Sequence, residues 1–316
     1  MIREIRIGTR SSPLARRQTD FIVRLLREAR PELCPKVETV TTQGDILQDA
    51  SLPLNGGKGL FTEEIEKALL NEQIDLAVHS LKDLPVQSTD GLTIGAIPQR
   101  ANPADALVSR KGGGLAELPA GARVGTSSLR RAAQLKHFRP DLKIVQIRGN
   151  VDTRLKKVFA PNGAYDAIVI AAAGLERLGA LDLASEILPL DLMLPAPGQA
   201  ALAAQCRNTP MWLDLLTPLN HPDTRLAVTA ERAFLQGLGG GCALPAAAYA
   251  EVSRHRLILR GRIVSADGFR QIDLVRAAPL SKNDEDLQTA QRLGVELAQE
   301  AVTQGACEIL EGVTSA

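Results

Sequence analysis

Aromatic residues are scarce in this 316-residue chain, at 3% of the sequence. Proteins that bind single-stranded nucleic acid stack the bases on aromatic side chains, so this scarcity argues against that class. The formal net charge is only +1, which means that the whole molecule exerts no strong pull on a polyanion. We therefore expect no nucleic-acid partner.

Long apolar runs and paired cysteines are missing as well. No stretch approaches the roughly 18 apolar residues that are needed to cross a bilayer. Arg3, Glu4 and Arg6 interrupt any hydrophobic signal segment at the start. Four cysteines are scattered without a C-x-x-C pair, which predicts neither a zinc site nor a disulfide framework. These absences favour a cytoplasmic protein with free thiols, no membrane association and no metal.

What is present is an alternation of β-rich runs with helical periodicity, and it occurs twice. The first half reads as strand, helix, strand, helix and strand, and a similar rhythm restarts at "ARVGTSS" (122–128). Proline-bearing segments at 97–107 and 188–199 suggest two crossings between the halves. Beyond them, the pattern changes to an antiparallel meander with a closing helix. The sequence predicts two α/β domains joined by a double hinge, plus a small C-terminal α+β domain.

The length of the chain also favours two or three domains. We expect domain 1 to comprise residues 1–98 together with 200–217, domain 2 to comprise 103–194, and domain 3 to comprise 222–316. Two independent α/β domains in series are the alternative that pattern alone leaves open.

Basic residues gather where predicted strands end and helices begin. In open α/β sheets ligands bind outside the carboxyl ends of strands, and helix N-termini bind anions. Arginine in a first helical turn opposes the helix dipole, so Arg130 and Arg131 after "GTSS" suggest that an anion is expected there. Arg10, Arg148 and Arg154 stand at matching positions. Together they predict a carboxylate or phosphate site, although a solvated or structural role explains any single arginine better.

Two further features could carry chemistry. Cys242 follows three consecutive glycines in "GLGGGCALP", which leaves room for a bulky group beside a thiol that could otherwise be a small buried hydrophobe. "IDLAVHSLKDLP" places Lys82 and Asp83 just past a buried strand, where a solvated turn is the plain alternative. Beside the arginines, an ionised Asp83 could stabilise developing positive charge and move a proton.

Taken together, these motifs resemble the porphobilinogen deaminase family, also called the hydroxymethylbilane synthases. Nine stretches occur in family order over essentially the whole chain. They are IGTRSSPLARRQ, GGKGLFTEEIE, DLAVHSLKDLP, VGTSSLRRAAQL, IRGNVDTRL, AAAGLERLG, LPAPGQAAL, TAERAFL and GGGCALP. The resemblance implies two domains of the type II periplasmic-binding-protein kind with a ligand cleft between them, and a third domain bearing a cofactor cysteine.

The resemblance also implies a transferase of tetrapyrrole (haem-type) biosynthesis. Such an enzyme condenses four porphobilinogen molecules, with loss of ammonia from each, into the linear tetrapyrrole hydroxymethylbilane. It does so on a dipyrromethane primer held by a thioether, which by motif position falls on Cys242. Asp83 would be the catalytic carboxylate that steadies the cation formed when ammonia leaves. A monomer is implied, with a product that passes to the next enzyme of the same synthesis.

The motif match assigns further binding residues. The cofactor would be bound, besides Cys242, by Ser80, Lys82, Asp83, Thr126, Ser128, Arg130, Arg131, Arg148 and Gly149. The substrate would be bound by Arg10, Ser12, Arg148, Arg154 and Arg177. Lys58 and Phe61 match positions at the foot of a loop, about 45–59, that we expect to cover the cleft, and Gln18 and Gln199 match positions near the active site and hinge.

Two positions depart from the family's usual pattern. Ala200 in "PGQAAL" and Ala247 in "CALPAAA" stand where glycine is common. Neither change removes a chemical group, so we expect activity to be retained. Because Ala200 lies beside a predicted hinge, the change there would stiffen domain motion.

Two other functions use the same features. A non-catalytic, two-lobed anion receptor could share the fold, because fold alone does not set function. A thiol enzyme could use Cys242 as a nucleophile on an acidic substrate. The joint occurrence of Lys82 and Asp83 with the glycine-flanked cysteine favours the condensing enzyme over both.

Overall fold

Three sheets organise the part of the chain that the structure describes, which in this computed structural model is residues 4–43, 62–240 and 244–314. Two sheets have five strands and mixed direction, and the third has three antiparallel strands. Lys58, Phe61, Cys242 and the expected covering loop at 45–59 lie outside the described residues. No helix of the described chain is both long enough and apolar enough to span a membrane.

The first sheet has the strand order β2-β1-β3-β10-β4, numbered along the chain. Its strands are β1 (Glu4–Thr9), β2 (Cys34–Thr39), β3 (Leu76–Ser80), β4 (Leu92–Ala96) and β10 (Leu202–Arg207). Its helices are α1 (Pro13–Ala29), α2 (Glu63–Leu70) and α6 (Pro210–Leu216). β1 runs parallel to β2 and β3, whereas β10 is antiparallel to β3 and β4. Ile7 and Leu76 of the strands pack with Ile22 and Leu26 of α1, and all four are completely buried.

The second sheet repeats this plan with the order β7-β6-β8-β5-β9. Its strands are β5 (Asp105–Ser109), β6 (Arg123–Gly125), β7 (Lys143–Val145), β8 (Ala167–Ala171) and β9 (Glu186–Ile187). Its helices are α3 (Leu129–Phe138), α4 (Val151–Phe159) and α5 (Ala172–Arg177). β6 is parallel to β7 and β8, and β5 is antiparallel to β8 and β9. The carboxyl ends of β6 and β8 therefore lead into the N-termini of α3 and α5, as in other parallel βα units.

The third sheet is the antiparallel meander β11 (Ala246–Ser253), β12 (Arg256–Val264) and β13 (Gln271–Pro279). Two long helices, α7 (Pro222–Gly237) and α8 (Asp286–Thr303), cover it, and α9 (Ala306–Thr314) follows. The completely buried Phe234 of α7 lies at the centre of this core. Gly261 leaves the space for its ring, because a Cβ there would lie only 2.6 Å from Phe234 Cζ.

These three sheets confirm the predicted fold class of two α/β units and a smaller C-terminal α+β unit. The chain leaves the first sheet after β4, and it returns to it at β10. Both proline-bearing segments that were predicted as crossings therefore connect the same two sheets. We call residues 188–201 the second crossing.

The second crossing holds a strained residue. Ala200 has φ +70°, in the left-handed region that L side chains rarely adopt, two residues after Gly198 with φ +73°. Its carbonyl oxygen accepts a hydrogen bond of 2.6 Å from Arg177 Nη2. Position 200 is therefore one at which glycine would be the relaxed choice, and alanine there stores strain.

Replacing Ala200 with glycine should raise thermal stability. Relief of the left-handed strain outweighs the greater chain entropy of glycine, by about 0.5–1 kcal/mol or about 1–3 °C in Tm. Ala201→Gly is the matched control, because Ala201 is completely buried and its φ is not positive, so that variant should be less stable than the parent. Equal losses in both variants, measured by thermal unfolding, would contradict the strain at Ala200.

Candidate active site

The turn after β3 carries Lys82 and Asp83. Residues Leu81–Asp83 form one 3-10 turn, closed by a 3.2 Å hydrogen bond from Leu84 N to Leu81 O. Leu81 is completely buried and its N–H donates to Ala201 O at 3.0 Å, so the turn is attached to the second crossing. The carboxylate of Asp83 is exposed and makes neither a hydrogen bond nor an ion pair with any residue of the described ranges.

A second carboxylate, Asp105 at the start of β5, is completely buried between two arginines. Arg130 Nη2 lies 2.7 Å from Oδ2, and Arg131 Nη2 and Nε lie 2.8 and 3.1 Å from Oδ1. Burial alone would raise the pKa of Asp105, but the two guanidinium groups outweigh it and hold that pKa well below its usual range. The sequence predicted an anion beside Arg130 and Arg131, and one negative charge there comes from the protein's own Asp105.

Gln199 joins this buried centre to the turn. Its Nε2 donates to Asp105 Oδ1 at 2.9 Å and to Pro103 O at 2.8 Å. Its Oε1 lies 3.4 Å from Lys82 Nζ. The side chain of Gln199 thus links Lys82 of the first sheet's turn to Asp105 of the second sheet. This link places Lys82 beside the arginines of α3.

Five cations act on one another here, and we call them the cationic cluster. They are Lys82, Arg130, Arg131, Arg148 and Arg154. Burial lowers the pKa of Lys82 to about 8, with the charges of Arg131 and Arg130 adding to this and those of Asp83 and Asp105 opposing it. Burial, then the charges of Arg131 and Arg148, lowers the pKa of Arg154 to about 10. Since Asp105 and Asp83 are the carboxylates that act on the cluster, positive charge is in excess.

The two arginines that follow β7 present their side chains differently. Arg154 Nε donates to Gly149 O at 2.8 Å, across a backbone turn in which Gly149 has φ +105°. Arg148 is half-buried, and its guanidinium makes no hydrogen bond or ion pair within the described ranges. The guanidinium donors of Arg148 are therefore open to a ligand among the described residues.

Two of the predicted hydroxyl residues cap helices. Ser12 Oγ accepts from Ala15 N at 3.2 Å, and Ser128 Oγ accepts from Arg131 N at 3.4 Å. Thr126 Oγ1 accepts from Ser128 N at 3.1 Å. A hydroxyl that accepts a backbone bond keeps its own O–H, which can still donate to a carboxylate.

The remaining predicted residues lie at the edges of the cluster. Gln18 Nε2 donates to Ser80 Oγ at 2.8 Å, which ties α1 to the end of β3. Burial, then the charge of Arg10, lowers the pKa of His79 to about 4, so this histidine is neutral. Arg177 is hydrogen-bonded to the second crossing at Ala200 and does not pair with the cluster.

Sequence reasoning missed the residues that hold these parts in place. Asp105 is one, and Arg100 with Glu231 is another. Glu231 of α7 is completely buried, receives Arg100 Nη1 at 2.6 Å, and accepts the N–H groups of Gly198 and Ala250 at 2.7 and 2.8 Å. The quoted stretch "TAERAFL" contained Glu231, but only its distant partners reveal what it does.

The donor set fits a ligand that carries several carboxylates. Guanidinium, ammonium and hydroxyl groups are donors that suit carboxylate oxygens. Arg130 Nε is buried without a hydrogen-bond acceptor among the described residues, so a donor remains for a bound group. Within the described ranges no three His, Cys, Asp or Glu side chains are grouped to hold a metal ion.

Comparison with known proteins gives a consistent result. Residues 5–213 match the family model described as porphobilinogen deaminase, dipyromethane cofactor binding domain, and residues 225–303 match the porphobilinogen deaminase C-terminal domain. The porphobilinogen deaminase of Roseiflexus sp. (strain RS-1) is 48% identical over 307 residues, which cover 97% of this chain and 98% of the relative. That of Desulforamulus reducens is 43% identical over 314 residues, 99% of each.

A solved structure of a nutrient binding protein from Burkholderia cenocepacia, bound to methionine, is also similar. It is 16% identical with a TM-score of 0.40, over 70% of this chain and 93% of the other. At that level the likeness says nothing about function.

The low pKa of Lys82 can be measured directly on protein without a bound carboxylate ligand. Competitive acylation, followed residue by residue in a mass spectrometer, should give half-maximal reactivity of Lys82 near pH 8. Lys67 is the internal control, because its hydrogen bond to Glu63 raises its pKa above the ordinary value. If Lys82 titrated together with Lys67, the buried, cation-rich setting of Lys82 would be wrong.

Proposed function

The chain belongs to the porphobilinogen deaminase family, and we propose from this how its own residues carry out the family's reaction. It is a transferase that condenses four porphobilinogen molecules stepwise into hydroxymethylbilane on a covalently bound dipyrromethane, in tetrapyrrole synthesis. The predictions of enzyme class, reaction and cofactor are thereby confirmed. The residue roles that follow are proposals.

Four members of the cationic cluster hold the carboxylate arms of the dipyrromethane: Lys82, Arg130, Arg131 and Arg148. When bound, this group supplies the pyrrole end to which each new unit is added. The proposed set, besides Cys242, is Ser80, Lys82, Asp83, Thr126, Ser128, Arg130, Arg131, Arg148 and Gly149. Support comes from the excess of positive charge in the cluster and from the unmatched Nε of Arg130.

Cys242 forms the thioether. It lies outside the described residues, so the support comes from its described neighbour Gly240. A Cβ at Gly240 would lie 3.0 Å from Val86 Cγ2. The backbone at Gly240 therefore passes close to Val86, three residues after Asp83.

Porphobilinogen also carries carboxylate arms, and a second set of residues, which shares Arg148 with the first, binds them. The proposed substrate-binding residues are Arg10, Ser12, Arg148, Arg154 and Arg177. Arg148 has open donors within the described chain, and the depressed pKa of Arg154 reflects a setting in which a bound carboxylate would be favourable. Arg177, at the end of α5, would act from beside the second crossing, where its Nη2 donates to Ala200 O.

Asp83 is the catalytic residue. Loss of ammonia from the pyrrolylmethyl carbon of porphobilinogen develops positive charge, so a nearby carboxylate lowers the barrier. Asp105 cannot serve, because it is buried and occupied by two arginines. The observation that carries the proposal is that Asp83 is exposed and unpaired in the described chain, yet close enough to act on Lys82 and Arg154. The same carboxylate can accept the proton that the ring carbon loses when the new bond forms.

Domain boundaries, assembly and location complete the proposal. Residues 1–98 with 200–217, 103–194 and 222–316 form three domains, which is supported by the membership of β10 in the first sheet. The enzyme works as a monomer in the cytoplasm and passes its product to the next enzyme of tetrapyrrole synthesis.

Intact-mass spectrometry of freshly purified protein tests the assignment of Cys242. The mass should exceed that of the bare chain by one dipyrromethane, and Cys242→Ala should lose both the added mass and turnover. Cys34→Ser is the matched control, because Cys34 is an exposed thiol of the first sheet and should keep both. A bare-chain mass from active enzyme, or full turnover in Cys242→Ala, would overturn the assignment.

A further inference from the structure

The turn that carries Asp83 is held by a residue of the C-terminal unit. Arg232, on α7, donates from Nη1 to Leu81 O at 3.3 Å and to Leu84 O at 3.1 Å, and from Nη2 to Pro85 O at 2.6 Å. One guanidinium thus binds a carbonyl before Asp83 and two carbonyls after it. These contacts span 147 to 151 residues of sequence.

Within the turn itself, little fixes the shape of the backbone. A single 3-10 turn has one internal hydrogen bond and poor bond geometry, so it is weak by itself. Here that bond is Leu84 N to Leu81 O at 3.2 Å. Since the carboxylate of Asp83 has no partner within the described ranges, its position depends on the backbone that carries it.

The helix that presents Arg232 is itself firmly anchored. The preceding residue, Glu231, is completely buried and bonded to Arg100, Gly198 and Ala250. Phe234, two residues further on, is completely buried in the C-terminal core. Arg232 therefore connects the well-anchored helix α7 to the weak turn at Leu81–Asp83.

We propose that Arg232 is a positioning residue for the condensation, holding the 81–85 backbone so that the carboxylate of Asp83 faces the reacting carbon. The inference rests on the proposed role of Asp83. A planar guanidinium can direct several N–H groups at separated carbonyls, which an ammonium on a flexible stem does less well. A displacement of about 1 Å at a reacting group can lower turnover about 100-fold.

A merely structural role would make different predictions. If Arg232 only attached α7 to the first sheet, its loss would lower stability without a selective effect on kcat. Arg225 allows the two roles to be separated. It lies two helical turns earlier on α7, is likewise half-buried, and donates to Asn220 Oδ1 at 2.9 Å. Within the described chain it makes no hydrogen bond to residues 81–85.

The experiment compares Arg232→Gln, Arg232→Lys and Arg225→Gln as cofactor-loaded enzymes, with loading checked by intact mass. We expect Arg232→Gln to lower kcat about 10- to 100-fold while KM for porphobilinogen stays within about threefold. Arg232→Lys should recover part of that loss, and Arg225→Gln should stay within about twofold of the parent. Should Arg232→Gln fail to fold, Arg232→Lys carries the same test against Arg225→Gln.

Hydrogen exchange of the same proteins supplies a readout that is independent of turnover. Peptides covering 80–86 should exchange faster in both Arg232 variants and unchanged in Arg225→Gln. A kcat of Arg232→Gln within twofold of the parent, an equal kcat loss in Arg225→Gln, or unchanged exchange at 80–86 would each overturn the inference. Asp83→Asn, assayed alongside, separates the two proposals. If Asp83→Asn retains turnover, the proposed role of Asp83 is wrong. Faster exchange at 80–86 in the Arg232 variants tests only whether Arg232 holds the turn.

Discussion

The pairing of Asp105 with Arg130 and Arg131 is the interaction on which the site depends. One carboxylate, completely buried, meets two guanidinium groups and the amide of Gln199. Two buried cations could not stay in place alone, since an uncompensated buried charge costs several kcal/mol. A single carboxylate leaves the pair with an excess positive charge, and Lys82 adds another beside it. The fold thereby holds several cations in fixed positions with too few carboxylates to balance them. A ligand rich in carboxylates can supply the missing negative charge.

This arrangement also separates the two carboxylates by task. Asp105 is consumed in holding the arginines, whereas Asp83 stands on an exposed turn and remains available. Three segments reach that turn. β10 pairs with β3 directly before it, and the second crossing accepts a hydrogen bond from Leu81 N. Arg232 of α7 donates to backbone carbonyls on both sides of Asp83. The first sheet, the second crossing and the C-terminal unit therefore all contact the segment that carries Asp83.

The sequence predicted the local parts of this picture and not the long-range ones. The alternation of strands and helices in each half, and the antiparallel meander that follows, were predicted correctly, because their signals are periodic and local. One closing helix was predicted after the meander, and the second one, Ala306–Thr314, was not foreseen. Asp105 was missed because its partners lie 25 and 26 residues away. The motifs predicted candidate site residues, but not the contacts that hold them in place.

The central claim, that one negative charge among cations carries the chemistry, is tested most directly by the turnover of Asp83→Asn. Asparagine preserves the shape of the side chain and removes only its charge and its ability to take a proton. With cofactor loading confirmed by mass, kcat should fall by about 100-fold or more, comparable to the loss of one electrostatic group in other active sites. Asp83→Glu should retain part of the activity because it keeps the charge. Turnover of Asp83→Asn within about threefold of the parent, less than about 1 kcal/mol in barrier, would contradict the account.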